Sequence, residues 1–265
     1  LIQGAFVLGL ATVLVAGITL FYFRKTLQAP QRLFCSVGLS LVLIVFGYME
    51  SVNWTVYAEQ RLYMDKVVFS KTTKYQHIIV TESPSKEVSC YINGHLQFNS
   101  NDEYIYHENL VHPAMSISSR KENILVLGGG DGMAVREILK YPEVKSITLV
   151  DLDPIVTELA QTNRLFTQLN QNSLSDSRVK IIHNHTLRST DEVDLLVHNQ
   201  NFPFENRSEK VARIQIVNVD AVKFLAQVQG RYDVIIADFP DPNSLELAKL
   251  YSQQFYKLIK FKMKL

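Results

Sequence analysis

The chain opens with two long apolar stretches. Residues 1–23 carry no charged side chain, and a second uncharged run covers 33–49 after a short loop with Arg24, Lys25 and Arg32. A helix of about 20 apolar residues crosses a hydrocarbon core. Two transmembrane helices, at about 1–23 and 33–49, are therefore expected to dip into a lipid bilayer as a hairpin. Residues 50–70 read as a connector with an interfacial helix near Trp54 and Tyr57. The period then shortens to two. Strand-like runs at 77–81, 88–92 and 96–98 surround Asn93-Gly94, a dipeptide that favours a hairpin turn. Residues 71–117 are expected to form a small antiparallel β-domain with a linking helix that Asp102 caps and Pro113 limits.

From 118 to 265 strands and helices alternate. The apolar run 124–127 feeds the turn Gly128-Gly129-Gly130-Asp131-Gly132, and a helical pattern leaves it at 134–140. A second strand follows at 145–150, and a second helix at 154–166 with Pro154 in its first turn. Two similar strand candidates, 178–182 and 213–217, flank a polar stretch at 183–210. That stretch is longer than ordinary connections and reads as an insertion, with room for an extra hairpin at 193–197. Residues 232–237 form a strand apolar enough to be buried on both faces, and a helix is expected from 244 to about 260. The fold class is α/β: a Rossmann-like sheet preceded by a small antiparallel β-domain and N-terminal transmembrane helices.

Composition narrows the partners. A net charge of +1 makes no case for nucleic acid. Two cysteines, Cys35 and Cys90, suggest neither a disulfide framework nor a zinc site. The first residue is Leu1, so a fragment or a processed product is expected. The basic loop at 24–32 favours a cytoplasmic loop and an outward soluble domain, against which Arg61, Lys66, Lys71 and Lys74 stand on the other side of the second run.

The candidate chemistry lies at the ends of the strands. Glycines at 128 and 130 let the backbone approach a ligand closely, and an acid about 20 residues after such a turn, here Asp151, strengthens a nucleotide-binding reading. Asp131, Asp151, Asp220 and Asp238 all end strands or open turns. In an open parallel sheet that edge is where ligands bind, so the four acids are expected to share one pocket. Each also has a plain structural reading, as a helix cap or a turn residue. An acid after the second strand can accept from both ribose hydroxyls, and one after the third from an adenine amino group. The chain lacks a glycine-lysine phosphate loop, which favours a nucleoside. Asp131 puts a negative charge inside the glycine turn. It would repel a carboxylate and attract an amine or sulfonium, and Asp238 and Asp241 add two more carboxylates. Clustered carboxylates raise one another's pKa, which suits one of them to act as a base. On residue types alone, Tyr106-His107-Glu108 reads as a polar helix face.

The chain resembles the spermidine synthase (polyamine aminopropyltransferase) family, in its membrane-attached bacterial branch. The resemblance is carried by Tyr75-Gln76, 93–97, Asp102-Glu103, Tyr106-His107-Glu108, His112-Pro113, the glycine turn, Arg136-Glu137, 150–153, Asp220-Ala221, 238–242, 250–252 and Phe255-Tyr256. It implies a class I S-adenosylmethionine-dependent transferase sheet. It also implies transfer of an aminopropyl group from decarboxylated S-adenosylmethionine to a diamine such as putrescine, with no metal. By that resemblance Gln76, Asp151, Asp220 and Ala221 hold the nucleoside. His107 and Asp131 line the amine side, Asp241 helps anchor the substrate, Asp238 takes the proton, and the segment from Tyr106 to Glu108 becomes a site rather than a polar helix face. A cytosolic co-substrate implies a catalytic domain on the cytoplasmic side of the inner membrane, and the resemblance leaves a homodimer open. Three departures stand out: Asp151 where the family has Glu, the insertion at 183–210, and an end at Leu265 before the family's last strands. The competing readings are a class I methyltransferase, which Asp131 disfavours, and a non-catalytic membrane-tethered polyamine binder.

Overall fold

The computed structural model describes residues 2–27, 29–175, 179–183 and 212–264. The insertion expected at 183–210 lies outside the described residues except for His183, and the extra hairpin at 193–197 lies outside them entirely. The chain divides into two compact units, residues 1–68 with 81–84, and residues 69–80 with 85–265.

The first unit contains helices α1 (Ile2–Phe23) and α2 (Pro30–Leu62). Phe6 packs against Trp54 with ring centroids 6.1 Å apart, Gly9 faces Ile44, and Gly17 faces Val37. Those pairings run in opposite directions along the two helices, so the helices are antiparallel. Both are long and apolar enough to cross a membrane. The helix expected near Trp54 and Tyr57 is present but is continuous with the second apolar run, because α2 continues to Leu62. Glu50, Glu59 and Gln60 change the polarity of the helix but do not break it, and no Pro or Gly lies between 50 and 62.

A four-stranded sheet runs in the order β1 (Lys66–Thr72), β2 (His77–Glu82), β3 (Val88–Ile92) and β4 (His95–Asn99). The dipeptide Asn93-Gly94 closes the antiparallel β3–β4 hairpin, with Ile92 paired to His95. Strand β1 was not expected from the pattern, since its charged and polar residues leave most of it exposed. Helix α3 (Glu103–Ile117) follows. Asp102 stands at its N-cap without a side-chain cap bond, and Pro113 lies inside the helix rather than ending it. A proline there removes one helical donor but leaves the turns on either side intact.

The main sheet is parallel, in the order β7-β8-β6-β5-β9, from β5 (Asn123–Gly128), β6 (Ser146–Asp151), β7 (Val179–His183), β8 (Arg213–Asn218) and β9 (Val234–Asp238). Strands β6 and β8 extend from β5 on one side and β9 on the other, so the switch point lies between β5 and β9. Alternate residues bury on opposite faces. Ile124, Val126, Ile147 and Leu149 join one core, together with residues of α3, α4 (Met133–Ile138), α5 (Pro154–Thr162) and α6 (Arg164–Leu169). Leu125, Leu127 and Val150 join the other, against α7 (Ala221–Gln227) and Phe255 of α9 (Gln253–Phe261). The helix expected at 154–166 is split at Asn163, whose side chain caps α6. The helix expected from 244 is likewise split into α8 (Leu245–Ala248), a 3-10 turn (Lys249–Tyr251) and α9, because Ser252 accepts from the Phe255 N–H and restarts it.

Candidate active site

Gly128 and Asp238 are the last residues of β5 and β9 and lie side by side in the sheet register. The Gly129 N–H donates to the Asp238 carbonyl at 3.1 Å. A Cβ on Gly128 would fall 1.9 Å from that carbonyl oxygen, and its φ of +79° is one that side chains rarely adopt. A Cβ on Gly130 would sit 2.6 Å from Asp151 Oδ2. The turn can therefore lie flat across the strand ends only as glycine. It borders a cavity of about 440 Å³, lined among others by Gln76, Tyr106, His107, Asp131, Asp151, Asp220, Ala221, Asp238 and Asp241. Every site residue expected from the sequence lines this cavity, Gly128 and Gly130 included.

On one side of the cavity, Asp151 ends β6 with both oxygens in use. Oδ2 accepts from the Gly130 N–H at 3.0 Å and Oδ1 from the Asp153 N–H at 2.9 Å. Burial pushes its pKa up to about 7, with the charges of Asp131 and Asp153 adding and the two N–H bonds opposing. Asp220 caps α7 by accepting from the Val222 and Lys223 N–H groups at 3.0 and 3.1 Å, and its other oxygen lies 3.3 Å from Lys249 Nζ. Gln76 is held through Thr73. The Thr73 hydroxyl receives the Gln76 N–H at 3.1 Å and donates to Asp153 Oδ2 at 2.7 Å. Asp153 is buried and also caps α5.

The opposite side is acidic with one imidazole. A ring nitrogen of His107 and carboxylate oxygens of Asp131 and Asp238 lie within 4.8 Å of one another. Asp131 Oδ1 accepts from the Met133 N–H at 2.8 Å, so this acid also serves as a turn residue. The Tyr106 hydroxyl donates to Asp238 Oδ1 at 2.9 Å. Asp238 Oδ2 is buried with no hydrogen-bond partner among the described residues. Burial and then the charge of Asp131 push the Asp238 pKa up to about 6, against the pull of His107 and the Tyr106 bond. Burial alone would lower the His107 pKa, but its bond to Glu103 and the charges of Asp131 and Asp238 outweigh it and raise the value to about 9. Asp241 stands exposed at the rim.

A family model for the spermine/spermidine synthase domain matches residues 103–193 and 186–264. The polyamine aminopropyltransferase of Oceanobacillus iheyensis is 37% identical over 264 residues, covering 100% of this chain and 44% of that protein. Polyamine aminopropyltransferase 1 of Streptomyces coelicolor is 38% identical over 267 residues, covering 98% of this chain and 43% of that protein. The chain belongs to the spermine/spermidine synthase family. It spans less than half the length of these curated relatives. Among solved structures, spermidine synthase from Thermotoga maritima matches with a TM-score of 0.56 and 25% identity, over 75% of this chain and 54% of that one.

Within this family frame, the roles of three groups in or beside the site escaped sequence reasoning. The segment from Tyr106 to Glu108 was expected to be a site, but without a role for Tyr106, whose hydroxyl contacts Asp238 across 132 positions. Glu103 is buried against His107 and Arg136. Asp153 ties the Gln76 loop to the start of α5. Each sits within three residues of an expected site residue or inside a quoted motif, which is the one signal the sequence offered. Glu108 turns away from the cavity toward Lys140, 3.8 Å off, as its neighbours on a helix require.

Proposed function

We propose that the chain is the catalytic part of a membrane-attached polyamine aminopropyltransferase. It would move the aminopropyl group of decarboxylated S-adenosylmethionine to a diamine such as putrescine, giving spermidine and methylthioadenosine. The observation that carries this reading is Asp238 Oδ2, a buried and unsatisfied acceptor beside Asp131 and His107. An unpaired buried carboxylate oxygen is costly, so a donor from a ligand is what the geometry calls for. The names of the relatives support the same reaction class.

In this reading the nucleoside lies over the glycine turn. Gln76, Asp151, Asp220 and Ala221 hold it, and the sulfonium faces Asp131. The diamine enters the acidic side, with Asp241 at the rim helping to anchor it. The lone pair of its near nitrogen attacks the propyl carbon bonded to sulfur. The C–S bond breaks, its electron pair stays on sulfur, and the sulfonium becomes a neutral thioether. The new ammonium passes a proton to Asp238 Oδ2, which the Tyr106 bond to Oδ1 keeps ionised and aimed. The sulfonium is already a good leaving group, so the protein supplies position and a base, and no metal is needed. A class I methyltransferase would keep the carboxylate on its co-substrate, which Asp131 opposes. Helices α1 and α2 would anchor the protein in the bilayer, with the catalytic unit on the cytoplasmic side, where the co-substrate is made.

The test is a product assay on the full-length protein with several diamines, alongside Asp238→Asn. Turnover falls by about 10²–10⁴ in the variant, the usual contribution of a general base, with nucleoside binding retained. Unchanged turnover removes Asp238 from this role. Tighter calorimetric binding of carboxylated than of decarboxylated S-adenosylmethionine would sink the reading in favour of methyl transfer.

A further inference from the structure

Glu103 is buried in the first turn of α3, one helical turn before His107. His107 Nδ1 lies 2.7 Å from the Glu103 carbonyl and 2.8 Å from its Oε2. Arg136 closes on the same carboxylate as a fork, with Nη1 donating to Oε1 at 2.8 Å and Nη2 to Oε2 at 3.0 Å. The guanidinium is fixed in turn by Glu137 Oε1 at 2.8 Å and the Leu169 carbonyl at 2.6 Å. Burial favours the protonated acid at Glu103. The bonds from His107 and Arg136 outweigh burial and hold the carboxyl below its ordinary range. Both atoms facing Nδ1, the Glu103 carbonyl oxygen and Oε2, only accept, so Nδ1 carries a hydrogen.

This arrangement has a consequence for the slot that none of the roles above contains. The groups that face His107 are Glu103 and Tyr106 from its own helix, Asp131 from the glycine turn and Asp238 from the end of β9, with Arg136 of α4 behind Glu103. The Cys90 thiol on β3 lines the same cavity, but burial and the Asp131 charge push it far above neutrality, so it adds no charge. We propose that Glu103 keeps His107 as an imidazolium, so that the amine slot holds a resident cation and accepts a diamine protonated at only one end. Asp131 and Asp238 against one imidazolium leave one net negative charge at the reacting end, which the sulfonium facing Asp131 balances, while Asp241 at the rim takes the one ammonium at the far end. A second ammonium next to His107 would meet like charge, so the nitrogen nearest Asp238 enters neutral, with the free lone pair that attack on the sulfonium requires. Glu103 thereby acts as a positioning residue for charge.

The inference rests on aminopropyl transfer, and its test separates the two. In the full-length protein, Glu103→Gln keeps the shape and removes the charge. His107 then loses its imidazolium near neutrality. At pH 8, diamine affinity measured by calorimetry with methylthioadenosine present rises about three- to tenfold, and kcat falls by a similar factor, the scale set by one pKa unit. Both ratios to the wild type move toward one as the pH is lowered from 8 and the imidazole of the variant regains its proton. A merely structural role gives weaker amine binding or a ratio that does not change with pH, and either outcome overturns the proposal. His107→Gln covers the case in which the first variant does not fold. It binds the diamine more tightly with no recovery at low pH, and weaker binding there overturns the proposal as well. Absence of product from the wild-type protein would refute aminopropyl transfer, while the calorimetric comparison would still decide the charge of the slot.

Discussion

Replacing Tyr106 with Phe removes one hydroxyl and leaves the ring in place. That hydroxyl donates to Asp238 Oδ1 at 2.9 Å, a bond to the charged form of the acid, and so it lowers the Asp238 pKa from where burial and Asp131 would set it. A hydrogen bond to a charged group contributes about 1.5–3 kcal/mol. Tyr106 is half-exposed, so water replaces part of what is lost and the low end applies. At 1.36 kcal/mol per unit, the loss is worth about one pKa unit. Asp238 must be ionised to accept a proton, so activity rises as the pH climbs through its pKa. The acid limb of kcat/KM should therefore move from about 6 in the wild type to about 7 in Tyr106→Phe.

The assay is initial-rate formation of the thioether nucleoside across pH 5 to 9, with the diamine varied at saturating sulfonium co-substrate. At pH 8.5 the base is ionised in both proteins, and the two rates should differ by only about threefold. The limb belongs to the interacting set Asp238, Asp131 and His107, so its midpoint is a property of the cluster. The direction is the firm part. An acid limb that stays in place, or moves to lower pH, would mean that Tyr106 does not hold the ionised form of the base, and the assignment of roles around Asp238 would have to be abandoned.

Asp131→Asn should move the same limb the opposite way, to lower pH, because the charge that raises Asp238 is gone. It should also raise the diamine KM about tenfold, with little change in nucleoside affinity by calorimetry. Gly130→Ala drives a Cβ to 2.6 Å from Asp151 Oδ2. Overpacking of that kind costs about 1–3 kcal/mol, so nucleoside affinity should fall about ten- to hundredfold while diamine KM changes less. Exhaustive chelation should leave turnover unchanged in a coupled product assay, since in the proposed reaction the space between His107, Asp131 and Asp238 belongs to an amine. A loss restored by a divalent cation would reassign those three residues as ligands.

The sequence carried the α/β alternation well because the signal is local. A strand such as 124–127 is apolar on both faces, and the turn that follows has a composition no ordinary connection needs. It failed where the deciding interaction is weak or distant. Strand β1 has too few buried positions to set a period, and Pro113 looked like a stop although the helix tolerates it. Ser252 splits the last helical stretch by a single cap bond that competes with a good helical pattern. Distance hid the site's finer parts. Nothing local to Glu103 says that Arg136, 33 positions on, will hold it ionised. The acids could be read because strand ends in a parallel sheet converge whatever the loops do. Sequence reasoning set the structural and functional roles of those acids against each other, and the geometry removes that choice. Asp151 fastens the glycine turn, Asp220 starts α7 and Asp131 opens α4, each through backbone N–H groups, and all three still border the cavity. A carboxylate with two oxygens and about four lone-pair directions can brace its own loop and present the remaining directions to a ligand. Asp238 differs from them, because its Oδ2 is buried with no hydrogen-bond partner among the described residues, and the proposed role as base rests on that difference.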